Sequence, residues 1–492
     1  MEKVKSKTFF LFWSLLGLGA LIFIWFLPWR FQVNDDVIMM WLVSGAYTGT
    51  PESYAVFIHP LLSWTFSKLY TFAPTIPWYP FTWYLVIYLS YLVFLKAIEK
   101  NFNSTSAKTV WVLFILGLLV HFLFFLQFSI VSAFAISAGF AFRLNHDSRI
   151  FNIYAADLLI LFGVLIRMEV LLLFLLGLLG LQLLFRKLYM AKLLLIPMLF
   201  LALGYCFNLL WLNINGLSEF YELNKLRSLV FDHPALQMNK SAYLVSDPQL
   251  FSFSNGLMDF QTDDLTKNKL LGWKDLLDQS RFESMDFKNI WFSLYYYILN
   301  EKYLILIACV FVTFRILETW KSTMINILIF ALVALLLSPF YLLKIQVYVI
   351  FFLLFLLWSL TAGDTENAKL AYSKLFASFL LVMIGVHIYN FLSNVKRDEA
   401  NNKIMSLLKE SNKSFNGEII LIASNEVYAH LTPGKPFSFQ LLGWPTLLEN
   451  SKNHVQKVNR KYLIDKEIFD TNFQYFKELQ QRSEGSNQLI IF

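Results

Sequence analysis

Leu27-Pro28-Trp29-Arg30-Phe31-Gln32-Val33-Asn34-Asp35-Asp36 separates one long apolar run from the next, and its two adjacent carboxylates set how the rest of the chain is read. Thr8 to Trp29 before it is apolar enough for a membrane helix. Val37 to Tyr70 after it is apolar enough to touch the bilayer but is cut by Gly45, Gly49, Pro51 and Pro60. Ionisable groups beside lipid are rare and usually functional, because their charge is costly there. Two readings of the pair follow: a functional site at the mouth of a membrane helix, or acids that end the helix in the headgroup zone.

The surrounding composition bounds the answer. A chain of 492 residues that is 57% hydrophobic, in many near-continuous apolar runs, is an all-α polytopic membrane protein. The net charge of +7 sits largely in short loops, where it orients the chain and does not speak for a nucleic-acid partner. Cys206 and Cys309 both lie inside apolar spans, which excludes a disulfide framework and a CxxC metal site. The first apolar run is too long for a signal peptide and lacks a small-residue cleavage site, so a retained first span is expected.

Lys3, Lys5 and Lys7 place the N-terminus in the cytoplasm, so Asp35 and Asp36 emerge outside, in an external loop over 30–77. Spans are expected over Trp78–Leu95, Val110–Leu126, Ser129–Phe142, Asn152–Ile166, Val170–Phe185 and Leu193–Trp211. The turns at Lys96, Lys100 and Lys108, at Arg143 and Arg149, and at Arg186, Lys187 and Lys192 are basic, as cytoplasmic turns are. Asn213 to Glu301 is a long external polar stretch with more acids than bases. Further spans cover Tyr303–Thr319, Ile325–Leu343, Val347–Leu360 and Phe376–Leu392. The total is about eleven, with the N-terminus in and the C-terminus out.

From residue 393 the composition becomes that of a small soluble unit. Ala400–Leu408 reads as an amphipathic helix, Glu418–Ile422 as a buried strand, Ile468–Gln481 as a helix and Gln488–Phe492 as a strand. The expectation is a transmembrane domain over 1–392 and a small extracytoplasmic α/β domain over 393–492. The second has no Gly-rich phosphate loop, Ser/His/Asp pattern or metal spacing, so its expected role is structural or acceptor-positioning.

A first span, an external loop opening on paired acids, six more spans, a long external loop, further spans and an external tail together resemble the GT-C glycosyltransferases. That superfamily includes the protein O-mannosyltransferases and the aminoarabinose transferase of lipid A. Asn34-Asp35-Asp36 through Gly45-Ala46-Tyr47-Thr48-Gly49-Thr50-Pro51 resembles an uncharacterised bacterial branch with an NDD motif followed by a glycine-punctuated amphipathic helix. Tyr221-Glu222-Leu223-Asn224-Lys225-Leu226-Arg227-Ser228 with Asp232, and Leu441-Leu442-Gly443-Trp444, resemble further motifs of that branch. The resemblance implies transfer of a sugar from a polyprenyl-phosphate donor to an extracytoplasmic acceptor, in the cytoplasmic (inner) membrane of a bacterium. Asp35 or Asp36 would be the general base and basic groups would hold the phosphate. Adjacent helical residues point about 100° apart, so only one acid faces the cavity. Asp35 is the expected base, because Asp36 directly precedes Val37–Leu42 and suits the cap or first turn of a helix along the membrane surface. A divalent cation, Mg²⁺ or Mn²⁺, would have Asp35 or Asp36 as ligand. However, the family's second acidic motif is absent around Leu126-Gln127-Phe128-Ser129, which leaves a hard cation short of oxygen ligands.

Other residues carry paired readings. Arg167 would hold the carrier phosphate or snorkel to headgroups; a bridge to Glu169 is disfavoured, since residues two apart do not share a helix face. Lys225 and Arg227 reach the same phosphate or are ordinary loop charge, and Lys344 faces the site or marks an outer turn. His59, Tyr221 and Asn224 are further cavity candidates, His59 also reading as a loop histidine and His121 as hydrogen-bonded core. Trp78-Tyr79 and Trp83-Tyr84 read first as an interfacial belt, then as a sugar platform. Outside the transferase class stand a polysaccharide or lipid transporter, which needs polar residues deep in several spans, and a non-catalytic scaffold of the same fold. An O-antigen-polymerase-like enzyme or an acyltransferase is the enzymatic alternative.

Overall fold

The computed structural model describes residues 2–47, 50–144, 150–185, 194–258, 265–281, 291, 298, 301–361, 370–393, 398–423, 440–441, 459–482 and 488–492. Thr48, Gly49 and Leu442-Gly443-Trp444 of the motifs above, the turns at Arg149 and at Arg186 to Lys192, and most of the loop after Thr361 lie outside the described residues.

The described chain is mostly helical. α1 (Glu2–Trp25) leads through a two-residue strand, β1 (Arg30–Phe31), to α2 (Asn34–Ser44) and α3 (Pro60–Phe72). Then come α4 (Trp78–Asn101), α5 (Thr105–Phe124), β2 (Phe125–Leu126), α6 (Phe128–Arg143), α7 (Ile150–Ile166), α8 (Met168–Phe185) and α9 (Leu195–Ile214). The stretch after α9 folds as α10 (Ser218–Phe231), α11 (Pro234–Met238), α12 (Tyr243–Ser246), α13 (Pro248–Ser254) and α14 (Lys267–Ser280). α15 (Lys302–Leu337), α16 (Ile345–Thr361) and α17 (Leu370–Ser393) complete the apolar part.

Six of these helices, α1, α4, α5, α9, α15 and α17, are long and apolar enough to cross a membrane, and four shorter apolar helices, α6, α7, α8 and α16, stand among them. α15 runs through both segments expected between Tyr303 and Leu343. Its backbone is non-helical at Thr319 (φ −143°, ψ 63°), so it is two arms joined at a kink. Arg315 stands beside that kink, paired with Glu318 and donating to Thr319 Oγ1 at 3.1 Å.

α6 and α7 pack most closely. A Cβ on Gly163 would lie 2.4 Å from Ile136, and Ser132 Oγ donates to the Gly163 carbonyl at 2.8 Å. Small residues allow helices to approach this way where lipid gives no hydrophobic drive between them. Arg143, expected in a basic turn after the Ser129–Phe142 span, is buried against Asp157 of α7.

Two further expectations are corrected. α2 does not lie along a membrane surface, because every residue from Asp36 to Val43 is buried inside the protein. A helix apolar on all sides has no solvent face to present, so burial is its stable state. It ends at Gly45, whose φ of +80° and 2.8 Å gap from a Cβ to Pro51 N exclude a larger residue. The aromatic pairs of α4 are not a belt either: Tyr79, Trp83 and Tyr84 are buried, and Tyr84 donates its hydroxyl to the Leu123 carbonyl at 2.9 Å.

The stretch expected as a polar loop has a core of its own, in which Leu226, Val230, Leu250, Phe253, Leu270 and Trp273 meet. After α18 (Asp398–Ser414), four strands, β3 (Glu418–Ile422), β4 (Gln440–Leu441), β5 (Arg460–Ile464) and β6 (Gln488–Ile491), form a parallel sheet in the order β4-β3-β5-β6. α19 (Lys466–Thr471) and α20 (Phe473–Arg482) lie between β5 and β6. Side chains alternate across the sheet. Ile420, Ile422, Tyr462 and Ile464 pack with Phe476 and Leu479, while Ile419, Leu421 and Leu463 join Ile404 and Leu408 of α18 and the main core. Both faces are therefore covered, as a parallel sheet requires.

Candidate functional site

The site begins with a short splice. β1 pairs parallel with β2, Arg30 opposite Phe125 and Phe31 opposite Leu126, and Gln32 N–H continues the ladder to the Leu126 carbonyl at 2.8 Å. This sets the first turn of α2 against the first turn of α6. Val33 occupies the cap position in extended conformation and supplies no side-chain bond, so Asp35 and Asp36 both fall in the first turn of α2.

The two acids then part. Asp36 is fully buried, and Phe128 N–H donates to its Oδ1 and Oδ2 at 3.2 and 3.1 Å; Tyr79 O–H donates to Oδ1 at 2.9 Å. It stands in the first turn of α2, one of the two places expected for it, but among the described residues its carboxyl bonds no N–H of its own helix and instead holds the N-terminus of α6. Burial pushes its carboxyl well above the usual range, outweighing the bonds that pull it down.

Asp35 faces the other way, into a cavity of about 760 Å³. Burial raises its carboxyl too, and the cations Lys344, Arg167 and Arg227 oppose that rise while Asp232 adds to it. Among the described residues no hydrogen-bond donor reaches it, so its charge is balanced only through space.

The cations arrive from three separate elements. Arg167 sits in the break between α7 and α8, donates to Ser129 Oγ at 2.6 Å and lies 4.9 Å over the Phe128 ring. The break also corrects the expectation about Glu169. Because the two residues are not on one continuous helix, Arg167 Nε approaches Glu169 Oε2 to 3.7 Å, a long contact to a mostly exposed carboxylate and so a weak one. Arg227 is buried on α10, with its Nε bonded to Asn224 Oδ1 at 3.0 Å. Lys344 enters between α15 and α16 and pairs with Asp232 at 2.9 Å.

A second cavity of about 190 Å³ adjoins the first through Phe57, Arg167 and Ser228. It gathers the other candidates, His59, Glu169, Tyr221, Asn224 and Lys225. The set expected as one site is thus two chambers that share Arg167. His59 is committed to structure: its Nδ1 accepts from Leu61 N–H at 3.2 Å as the cap of α3, and its Nε2 meets the Gly204 carbonyl at 3.1 Å. His121 is core, with Nδ1 3.2 Å from His387 Nε2.

Several lining residues carried no sequence signal. Lys240 adds a fourth cation to the large cavity, its Nζ donating to the Ser254 carbonyl at 2.9 Å. Gln127, in the stretch where an acid was sought, donates to Gln346 Oε1 at 3.2 Å and leaves its own Oε1 buried without a partner. Asp465, Glu467 and Asn472 line the cavity from the C-terminal sheet.

The donor set does not suit a divalent cation. The oxygens of Asp36 are taken by N–H and O–H groups, Asp35 faces three cations, and Asp232 is paired with one of them. A hard cation wants several free oxygens together, and no group of three His, Cys, Asp or Glu side chains converges among the described residues. Comparison with family models, curated proteins and solved structures found no match to this chain.

Proposed function

We propose that this chain is an integral-membrane glycosyltransferase, which moves a sugar from a polyprenyl-phosphate carrier to a hydroxyl acceptor on the outer side of a bacterial cytoplasmic membrane. One observation carries the reading: Asp35, without a hydrogen bond among the described residues, shares a cavity with Arg167, Arg227, Lys240 and Lys344 among apolar helices. A base and a cluster of cations are the two things such a transfer demands.

The acceptor O–H gives its proton to the Asp35 carboxylate, and its oxygen forms a bond to the anomeric carbon. The bond from that carbon to the carrier phosphate breaks, and its electron pair leaves on the phosphate oxygen. Burial that raises the Asp35 carboxyl makes it a better proton acceptor than a solvated aspartate. Arg167, Arg227 and Lys344 offset the charge that gathers on the departing phosphate. The smaller chamber, with Lys225 and Tyr221, extends the path along which the carrier lies.

In this reading the four shorter apolar helices and both arms of α15 span the membrane, which gives eleven spans. The N-terminus is cytoplasmic, and the 213–301 stretch and the C-terminal sheet lie outside. The test is glycan analysis in a deletion strain complemented with Asp35→Asn. Product should fall by about 10²–10⁴-fold, the usual worth of a general base; wild-type product would end the assignment.

A further inference from the structure

The C-terminal sheet has a feature that its strands' sequence does not display. The chain leaves β3 for β4 on one side and returns to β5 on the other, giving the order β4-β3-β5-β6. β3 and β5 are therefore neighbours whose next strands in the chain, β4 and β6, lie on opposite sides of the pair. They run parallel and in register, with Ile422 opposite Ile464, so their carboxyl ends stand level. Open parallel sheets bind ligands just beyond the carboxyl ends of two such strands, where the diverging connections leave a crevice.

Here the crevice opens into the cavity that holds Asp35. Ile422 at the end of β3 and Ala423 just after it line one part, and Asp465, Glu467 and Ile468 line it beyond β5. Asn472, almost fully buried, borders it too, held by the Ile468 carbonyl at 3.0 Å and by Asn255 of the outer stretch at 3.3 Å.

The two walls differ in charge. Away from the sheet, Arg167, Arg227, Lys240 and Lys344 outnumber Asp35 and Asp232, whereas Asp465 and Glu467 make the sheet side acidic. A phosphate is drawn to the first and repelled by the second. Carboxylates and an amide suit an uncharged ligand rich in hydroxyl groups, whose O–H donors they accept. We propose that this crevice is the acceptor subsite and binds an uncharged polyol, a saccharide whose reacting hydroxyl points toward Asp35. The proposal deepens the glycosyltransferase reading and rests on it.

Photocrosslinking in intact cells separates the two. A benzoylphenylalanine at Thr471, exposed beside the crevice, and another at Ser228, between the two chambers, are irradiated in the full-length protein, and their adducts are identified by mass spectrometry. The Thr471 position should capture carbohydrate and the Ser228 position polyprenyl phosphate. Glu467→Gln, and the double change with Asn472→Ala, should reduce the carbohydrate adduct by about tenfold for each hydrogen bond lost, with the polyprenyl adduct unchanged. Glu467 is exposed, so the single variant keeps the fold and the test stays decisive. A lipid adduct or none at Thr471, or a carbohydrate adduct indifferent to Glu467→Gln, overturns the acceptor subsite. Absence of a polyprenyl adduct at Ser228 counts against the carrier reading instead.

Discussion

Asp36→Ala is the perturbation that bears most directly on how the site is built. The substitution leaves Phe128 N–H and Tyr79 O–H without acceptors in a fully buried setting. A buried donor left unpaired costs about 1–3 kcal/mol, so the pair costs about 2–6 kcal/mol. Loss of a helix cap alone would cost about 0.5–2 kcal/mol. Asp36→Asn separates the readings further, because Oδ1 accepts both bonds and an amide oxygen can take its place; that change should cost about 1 kcal/mol. The sign with pH follows from the raised carboxyl. Its folded-state pKa lies above its unfolded value, so its stabilising contribution is complete below the ordinary aspartate range and is lost as pH rises through the raised value. Thermal unfolding of the purified protein in detergent, followed by tryptophan fluorescence across pH, reads all three. Asp36→Ala within 1 kcal/mol of wild type, or Asn as costly as Ala, refutes the anchoring role.

Three further outcomes are expected. Lys344→Met removes the cation that most opposes the rise of the Asp35 carboxyl and leaves Asp232 unpaired, so the acid limb of the pH–activity profile should move to higher pH; an unmoved limb separates Asp35 from the rate. Arg227→Lys keeps the charge but not the planar fork, and binding of undecaprenyl phosphate to the purified protein should weaken by about tenfold; unchanged binding returns Arg227 to a structural role. In a background with Cys206 and Cys309 replaced by serine, cysteines at Ser53, Val245 and Lys477 should react with an impermeant thiol reagent on intact cells while one at Lys100 does not. Val245 is 88% exposed, whereas the nearby Ser254 is fully buried and would report nothing. Labelling of Lys100, or of only some of the other three, breaks the topology.

The apolar runs made the helices legible, and the paired acids drew attention to a turn that borders the large cavity. Which acid faces the cavity was legible only in part. The angle between neighbours on a helix separates the two side chains, but the partners of Asp36 come from Tyr79 and Phe128, far along the chain, and no local pattern names them. The same limit hid Lys240, an ordinary loop lysine until the small core of α10 to α14 turns its backbone toward the site. The aromatic pairs of α4 misled for a related reason: a Tyr or Trp at a span's start has the composition of a belt whether it meets lipid or a buried carboxyl. The strand order of the C-terminal sheet is a long-range property, and hydrophobic periodicity carries no trace of it.

The stretch that seemed empty of chemistry binds these pieces together. Gln127-Phe128-Ser129 holds no acid, and on that ground it counted against a bound cation. In the structure its backbone N–H anchors Asp36, its serine hydroxyl receives Arg167, and its phenyl ring lies under the same guanidinium. One turn of α6 therefore fixes a buried acid on one side and the Arg167 guanidinium on the other. Asp35 is next to the first in sequence and beside the second in space, so its distance from the cation is set by the geometry of a single helix start. Adjacent acids are what this arrangement calls for. One is spent, bonded and buried, on locking two helix termini together, and the lock aims its neighbour. A second carboxylate in the Gln127 position would add a like charge to the cavity that Asp35 lines and raise that carboxyl further. An amide there keeps the platform neutral, which accounts for the absence of an acid by the demands of the scaffold.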